Sequence, residues 1–161
     1  MSKFRLMALT RQARLARLRE AALGARRACY PRYSGFEVLA AVELIDGRVY
    51  GGANVEIVNY TLTKHAEEAA ALAAIADGAL DLGDRWLTAI YTRGAPPCGS
   101  CRQFLSEWAT PTALSFVELP GHQGDIRPKR LSALYPDPFE PSALPDRRKR
   151  RRPPEGSGAE E

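Results

Sequence analysis

The chain has 161 residues, which is the size of a single domain. Its composition, 45% hydrophobic and 26% charged, is that of a globular protein and excludes a collagen-like, disordered or disulfide-scaffold architecture for the whole chain. No stretch approaches the roughly 20 consecutive apolar residues of a membrane span, so no membrane partner is expected. The Arg-rich N-terminus is not followed by the apolar core of a signal peptide, which predicts a cytoplasmic protein.

The net charge of +4 is concentrated at the two ends of the chain. Residues 147–152 are six consecutive Arg and Lys residues, and residues 1–32 hold nine basic residues against the single acid Glu20. Residues 33–145 hold eight basic and fourteen acidic residues, so the middle of the chain is net acidic. Because a fold that grips nucleic acid is expected to be basic throughout, the pattern disfavours nucleic acid as a partner.

Residues 146–161 combine the basic run with Pro, Gly, Ser and a final acidic stretch. This composition predicts a disordered tail, which leaves residues 1–145 as the folded domain. A second interpretation of the tail is salt-dependent attraction to nucleic acid. No aromatic residue is interleaved with the charges, so the tail offers no stacking platform for single strands.

The first half of the domain predicts a helix followed by a hairpin. Apolar residues at helical spacing indicate a helix over 8–28, with Thr10 as its candidate N-cap. A strand is predicted over 36–45 and a second over 48–51, joined by Asp46-Gly47 as a two-residue hairpin. Gly51 and Gly52 are expected to loosen the backbone after this second strand.

The second half alternates helices and strands. An Ala- and Leu-rich segment predicts a helix over 65–77 that stops at Gly78. Pro96 and Pro97 are expected to open another helix, because proline suits the first helical turn. The alternation predicts an α/β fold with helices packed on a central sheet. The remaining predicted elements are a strand over 87–92, a helix over 98–108, a strand over 114–119 and a short helix over 128–135.

Three residues form a candidate zinc site. His65, Cys98 and Cys101 supply one imidazole and two thiolates, which leaves the fourth position of a tetrahedral ion open, as in catalytic zinc sites. Both halves lie at predicted helix N-termini, where the helix dipole favours thiolate over thiol. Cys98 and Cys101 are three residues apart, so one helical turn brings both sulfurs to the same side.

Glu67 stands two residues after His65 and is the candidate catalytic residue. It is not needed as a fourth ligand. Zinc lowers the pKa of a bound water to about 7. A carboxylate facing that water can take its proton and pass it to a leaving group, so Glu67 is predicted to act as the proton shuttle.

The pattern His-x-Glu followed by Pro-Cys-x-x-Cys is the established signature of zinc deaminases that act on nucleobases. With the residues around it, the chain resembles the short, single-domain cytidine deaminases over about residues 12–141. The resemblance implies a three-layer fold with a central mixed sheet and helices on both faces, and it makes residues 1–145 the catalytic domain. The motifs that carry it are Tyr33-Ser34-Gly35-Phe36, Asn54-Val55-Glu56, His65-Ala66-Glu67, Pro97-Cys98-Gly99-Ser100-Cys101-Arg102-Gln103 and Leu134-Tyr135-Pro136-Asp137-Pro138-Phe139.

The resemblance also implies a set of substrate contacts. Asn54 and Glu56 would hydrogen-bond the ribose hydroxyls, and Phe36 would pack against the nucleoside. The backbone N–H of Ala66 would hold the cytosine carbonyl. The carbonyl of Pro96 would accept a hydrogen bond from the exocyclic amine.

Further implications concern the metal, the proton and the assembly. Each subunit would hold one zinc ion, and Glu67 would protonate N3 of the base and later the departing ammonia. Phe139 would approach the site of a neighbouring subunit, because the short members of the family form homotetramers with shared active sites.

The chain departs from the family pattern beside the metal. Many short members carry Cys where His65 stands and Arg three residues later, where this chain has Glu68. Zinc with one imidazole and two thiolates is neutral by formal count, so it needs no Arg, and the two substitutions are mutually consistent. Residues 57–60 replace small and polar residues near the expected pocket wall, and Leu39 replaces a glycine at the start of the first strand.

Without the resemblance, each of these residues also has an interpretation that involves no catalysis or substrate binding. A lone Cys-x-x-Cys is also typical of a structural zinc half-site, for which Cys29 and His122 remain as candidate fourth ligands. Asn54 and Glu56 could serve as plain turn residues. Phe36 could occupy a core position, and Phe139 could act as a C-terminal plug on its own domain.

The function predicted from all of this is hydrolytic deamination of cytidine and deoxycytidine to the uridine products with release of ammonia. One alternative is a deaminase of a modified cytosine nucleoside, which the altered segment 57–60 suggests. A second is a deaminase of a base in tRNA or single-stranded nucleic acid, which the basic ends suggest. A third is a non-catalytic, zinc-stabilised binding module.

Overall fold

A computed structural model describes residues 10–121 and 126–144. The predicted tail at 146–161 and the candidate ligand His122 therefore lie outside the described residues. None of the helices in these two ranges is long and apolar enough to cross a membrane. The elements in chain order are α1 (Arg11–Gly24), β1 (Leu39–Leu44), β2 (Val49–Ala53), α2 (Ala66–Ala76), β3 (Leu87–Arg93), α3 (Gly99–Ser106), β4 (Ala109–Glu118), β5 (Lys129–Arg130) and α4 (Leu131–Leu134), with short 3-10 turns at Ala25–Ala28, Tyr60–Leu62, Ala79–Leu82 and Pro141–Ala143.

The five strands form one mixed sheet in the order β2-β1-β3-β4-β5. β3 and β4 are parallel, and the other neighbouring pairs are antiparallel. β1 is buried along its whole length because helices cover both faces of the sheet. Leu39 and Ala41 pack with Leu18 of α1 on one face, while Val42 and Leu44 pack into a second cluster with the alanines of α2 on the other. The predicted three-layer arrangement is confirmed.

Several predicted element ends are confirmed, and others lie at different residues in the structure. The Thr10 hydroxyl accepts a hydrogen bond from Ala13 N–H at 3.2 Å and caps α1 as predicted. Gly78 ends α2 in the left-handed conformation, with φ of 82°. β4 begins at Ala109, five residues before the predicted strand, and its pairing with β3 is irregular between Leu87 and Ala89. The predicted helix over 128–135 is instead the short β5 followed by the single turn of α4.

The hairpin between β1 and β2 differs from the predicted two-residue turn. Gly47 N–H donates to the carbonyl of Leu44, and Leu44 N–H donates to the carbonyl of Arg48. The loop therefore has three residues, a tight turn closed by Gly47 at φ of 92°. Asp46 keeps a negative φ, which excludes the turn type that needs positive φ at both central residues.

Gly51 and Gly52 lie inside β2, so the expectation that they loosen the backbone is wrong. A Cβ on Gly51 would lie 2.1 Å from the carbonyl oxygen of Ala21 in α1. A Cβ on Gly52 would lie 2.3 Å from the backbone nitrogen of Ala70 in α2. These two glycines therefore let one helix approach each face of the strand at backbone contact distance.

Candidate active site

The two halves of the predicted metal site come from the N-termini of α2 and α3. His65 is the N-cap residue of α2, and Cys98 is the N-cap residue of α3. Neither side chain makes the usual capping hydrogen bond, so each remains available to a ligand. The predicted helix starts at both motifs are therefore confirmed.

The donor atoms of His65, Cys98 and Cys101 lie within 4.8 Å of one another. Nδ1 of His65 is 3.2 Å from Sγ of Cys101 and 3.4 Å from Sγ of Cys98. With the ligand distances usual for tetrahedral zinc, a nitrogen and a sulfur ligand are roughly 3.6 Å apart. The three side chains therefore fit a zinc ion, and in the described ranges they are the only such group of His, Cys, Asp and Glu.

The electrostatics of Cys101 also suit a bound cation. Its side chain is fully buried, and burial together with the nearby Glu67 carboxylate raises the pKa of the thiol. A thiolate at this position is therefore costly unless a positive charge lies beside it, and a divalent metal ion supplies that charge. Cys29, a candidate fourth ligand, lies instead with its sulfur 3.1 Å from Oδ1 of Asn54.

Glu67 lies in the first turn of α2 and is only 4% exposed. Burial raises the pKa of its carboxyl group above the usual value of a glutamate. A raised pKa makes the carboxylate a stronger proton acceptor than an ordinary glutamate, and a pKa closer to the working pH suits a group that takes up and passes on protons. Glu67 thus has the burial and the electrostatic environment of a proton-transfer residue, next to the metal ligands.

A cavity of about 250 Å³ opens at this point of the surface. It brings together eight of the residues predicted for the site: Phe36, Asn54, Glu56, His65, Ala66, Glu67, Pro96 and Cys98. Cys101 completes the metal group without lining the cavity, and Phe139 is not among the lining residues.

Four further residues line the cavity although the sequence analysis does not predict them: Ser34, Val38, Thr63 and Ala95. Signals for two of them are present in the sequence. Ser34 belongs to the motif that ends in Phe36, and Val38 follows Phe36 by two residues, which is the spacing of one strand face. A separate cavity of about 290 Å³ lies beside α4 and contains none of the metal-binding residues.

Asn54 is buried and binds the backbone that leads into β1. Its Nδ2 donates to the carbonyl of Phe36 at 2.8 Å, and its Oδ1 accepts from Val38 N–H at 2.9 Å. The side-chain amide thus pairs with this backbone through one donor and one acceptor, as the backbone of a neighbouring strand would. The bond to Phe36 uses one of the two amide hydrogens of Asn54, which leaves the second for a ligand in the cavity.

Glu56 is also buried and holds the turn just before Phe36. Its Oε2 accepts from Tyr33 N–H at 2.6 Å and from Ser34 N–H at 3.0 Å, while its Oε1 accepts from the Ser34 hydroxyl. The hydrogen bond from that hydroxyl is the main reason why the pKa of Glu56 lies below the usual value of a glutamate. Glu56 is therefore ionised at neutral pH, and it both holds this turn and lines the cavity.

Phe36 and Phe139 are both exposed aromatic residues in different settings. Phe36 is 51% exposed and lines the cavity, so it is not a core residue. Phe139 is 60% exposed on the C-terminal segment, which disfavours a plug on its own domain. Gln103 in α3 holds this segment through the backbone of Phe139.

Known proteins share this sequence pattern. The family model described as the cytidine and deoxycytidylate deaminase zinc-binding region matches residues 12–116. A cytidine deaminase of Halalkalibacterium halodurans is 38% identical over 125 residues, which cover 78% of this chain and 93% of that protein. A cytidine deaminase of Mycobacterium tuberculosis is 40% identical over 134 residues, which cover 81% of this chain and 90% of that protein.

Solved structures agree with the sequence relatives. The crystal structure of cytidine deaminase from Burkholderia pseudomallei superposes with a TM-score of 0.67 at 37% sequence identity. The superposition covers 81% of this chain and all of that one. The matched family region contains both halves of the metal group as well as Glu67. This chain therefore belongs to the cytidine and deoxycytidylate deaminase family and carries its zinc-binding region.

Proposed function

We propose that this protein deaminates cytidine and deoxycytidine hydrolytically to the uridine nucleosides and releases ammonia. The observation that carries the proposal is the buried carboxyl of Glu67, which lines one cavity with His65 and Cys98 of the metal group and with Asn54 and Glu56. The names of the relatives support the same reaction.

The metal would be held by His65, Cys98 and Cys101. Zinc in such a site supplies Lewis-acid activation of water. Glu67 would accept one proton from the attacking water and carry it to N3 of the cytosine ring, and would then take the second proton from the hydroxyl group added to C4 and give it to the departing amino group. The raised pKa of this buried carboxyl supports its role as the proton acceptor.

The base would be oriented by backbone groups at the cavity wall. Ala66 is the first residue of α2, so its N–H has no acceptor within the helix and is free to hold the cytosine carbonyl. The carbonyl of Pro96 would accept from the exocyclic amine. The exposed ring of Phe36 would pack against the nucleoside, while Asn54 and Glu56 would bind the sugar.

The charge of the cavity favours a nucleoside over a nucleotide or a nucleic acid. Its lining contains two carboxylates, Glu56 and Glu67, and no Lys or Arg in the part of the chain that the structure describes. A phosphate group would therefore meet carboxylates without a basic side chain in the cavity lining to offset their charge. A nucleoside carries no charge and pays no such cost.

A modified cytosine nucleoside is the second candidate substrate. Ile57 N–H donates to the Thr63 hydroxyl at 3.3 Å, and Thr63 lines the cavity. The unusual segment 57–60 is thus coupled to the cavity wall, where it can alter the shape offered to a substituted base.

We further propose a homotetramer in the cytoplasm that serves pyrimidine salvage. Exposed apolar side chains in the two segments that border the cavity-lining residues Ser34, Glu56 and Thr63 support self-association, because exposed apolar surface of this kind is typical of interaction sites. Phe139 would reach the site of a neighbouring subunit. The exposed residues of this patch are Tyr33, Phe36, Ile57, Val58, Tyr60 and Leu62.

Ammonia release by the zinc-loaded protein tests the proposal. Cytidine, deoxycytidine, free cytosine, adenosine and a cytosine-containing single strand are supplied separately, with Glu67→Ala in parallel. Turnover of the two cytosine nucleosides that is lost in the variant supports the proposal. Activity on the single strand alone would favour nucleic acid, and activity on a 5-substituted cytidine alone would favour the modified nucleoside.

A further inference from the structure

We propose that Ser34 is a positioning residue for sugar recognition, because its hydroxyl holds the Glu56 carboxylate in the orientation that meets the sugar. The inference rests on the proposed function and adds to it a residue whose own contact is with Glu56. Ser34 itself lines the cavity, next to the carboxylate.

One hydroxyl group connects the carboxylate to the segment that carries Phe36. The Ser34 hydroxyl donates to Oε1 of Glu56, and its oxygen accepts from Phe36 N–H at 2.9 Å. Gly35 between them adopts a φ of 69°, which lets the backbone turn tightly enough for this contact. The orientations of the carboxylate and of the Phe36 backbone are therefore set by the same oxygen atom.

The hydrogen-bonding groups of Glu56 and Asn54 that remain without a protein partner match the hydroxyl groups of a sugar. A carboxylate offers about four acceptor sites. Three of them on Glu56 are used by Tyr33 N–H, Ser34 N–H and the Ser34 hydroxyl. The site that is left belongs to Oε1, the oxygen that Ser34 holds through its side chain. Together with the second amide hydrogen of Asn54, it offers one acceptor and one donor to the hydroxyl groups of a ribose.

Removal of the hydroxyl separates this role from a merely structural one. In Ser34→Ala the two backbone donors still hold Oε2 of Glu56, so the turn is expected to keep its conformation. Oε1 loses its partner and becomes free to rotate away from the sugar, while Phe36 N–H, which lies at an exposed position, is expected to bind water in place of the hydroxyl oxygen. The sugar contact, rather than the fold, is then what the substitution weakens.

The test compares cytidine with 2′,3′-dideoxycytidine, which lacks the two hydroxyls in question. Ser34→Ala is expected to raise KM for cytidine roughly tenfold with kcat within about twofold, since a hydrogen bond used equally in binding and in the transition state is lost. The kinetics of dideoxycytidine should stay unchanged. Ser34→Thr, which keeps the hydroxyl, should restore cytidine, and Ser132→Ala, an exposed serine outside this cavity, is the matched control.

Three results would overturn the proposal. They are an equal rise in KM for both nucleosides in Ser34→Ala, an unchanged KM for cytidine in that variant, and a KM for cytidine in Ser34→Thr that stays above the wild-type value. A wild-type protein that deaminates neither nucleoside would instead contradict the proposed function. In that case an NMR titration of the Glu56 carboxyl still tests whether the Ser34 hydroxyl holds this carboxylate. Its pKa should rise toward the ordinary 4.5 in Ser34→Ala, and an unchanged pKa would overturn the inference.

Discussion

The side-chain amide of Gln103 binds both backbone polar groups of Phe139. Oε1 of Gln103 accepts from Phe139 N–H at 2.8 Å, and Nε2 donates to the Phe139 carbonyl at 3.0 Å. The Tyr135 hydroxyl also donates to Oε1, at 3.0 Å. Gln103 lies two residues after Cys101 of the candidate metal group, so the helix that begins at this group also fixes the exposed Phe139.

Gln103→Ala removes this attachment of the C-terminal segment. The loss of three neutral hydrogen bonds, partly replaced by water, is expected to lower the free energy of unfolding by about 1–3 kcal/mol. Urea denaturation measures this change. Phe139→Ala is the matched variant, because it keeps the backbone groups that Gln103 binds. It should leave the stability of the subunit nearly unchanged, and an equal loss in both variants would contradict the assigned contact.

Glu67→Gln should abolish turnover while leaving the fold and the metal in place. The amide has nearly the same shape but cannot carry a proton, so kcat is expected to fall by a factor of about 100 or more. Bound zinc measured by elemental analysis and the circular dichroism spectrum should match the wild type. Retention of more than about a tenth of the wild-type kcat would contradict the role of Glu67.

Cys101→Ser and Cys98→Ser should each lose nearly all bound zinc. Serine is a poor zinc ligand, and metal binding contributes directly to the stability of the site. Cys29→Ser is the matched control, since the Cys29 sulfur contacts Asn54 and lies outside the metal group. Zinc content and the effect of a chelator on Tm measure the difference. A Cys29→Ser protein that lost zinc as well would show that the third cysteine takes part.

Gly51→Ala and Gly52→Ala are expected to destabilise the protein by about 1–3 kcal/mol or more. The added Cβ would meet the backbone of α1 in the first case and of α2 in the second, and neither backbone can yield without shifting its helix. Gly24→Ala at the end of α1 is the control, because a Cβ there meets nothing within 4 Å. That variant should be neutral or slightly stabilising in thermal unfolding.

The lowered pKa of Glu56 predicts that this carboxylate stabilises the fold at neutral pH and that the stabilisation is lost in acid. Its pKa in the folded protein lies below the ordinary 4.5, mainly because of the Ser34 hydroxyl. The carboxylate therefore contributes stability above pH 4.5, and this contribution is lost as the pH falls through the lower, folded-state pKa. Urea midpoints of the wild type and Glu56→Gln should differ at about pH 7 and converge as the pH falls through the folded-state pKa, which lies below the ordinary 4.5. A difference that grew on acidification would contradict the assignment.

The local parts of the site were predictable from the sequence because they depend on spacing within one element. His65 and Glu67 at the start of α2, and Cys98 and Cys101 one turn apart in α3, follow from helical geometry and from the signals that begin a helix. The alternating elements likewise predicted helices packed on a central sheet, and the family resemblance added the three layers.

The relationships between distant segments were decided only by the tertiary structure. His65 and Cys98 are 33 residues apart, and it is the packing of α2 and α3 that brings their side chains together. The same holds for the hydrogen bonds of Ser34 to Glu56 and of Gln103 to Phe139. No periodicity links such residues, because their contact depends on how whole elements pack and which polar groups this packing leaves in need of a partner.

Gly51 and Gly52 also show the difference between what the sequence indicates and what the packing decides. By themselves two adjacent glycines indicate a flexible turn, because glycine lacks the steric limits of other residues. In the folded chain they lie in β2 between two helices whose backbones leave no room for a Cβ. The residue types at the two helix starts and the order of the elements can be read from the sequence, because both depend on local spacing. The tertiary structure decided which glycines, amides and carboxylates hold these elements in place, because only packing sets the distances between them.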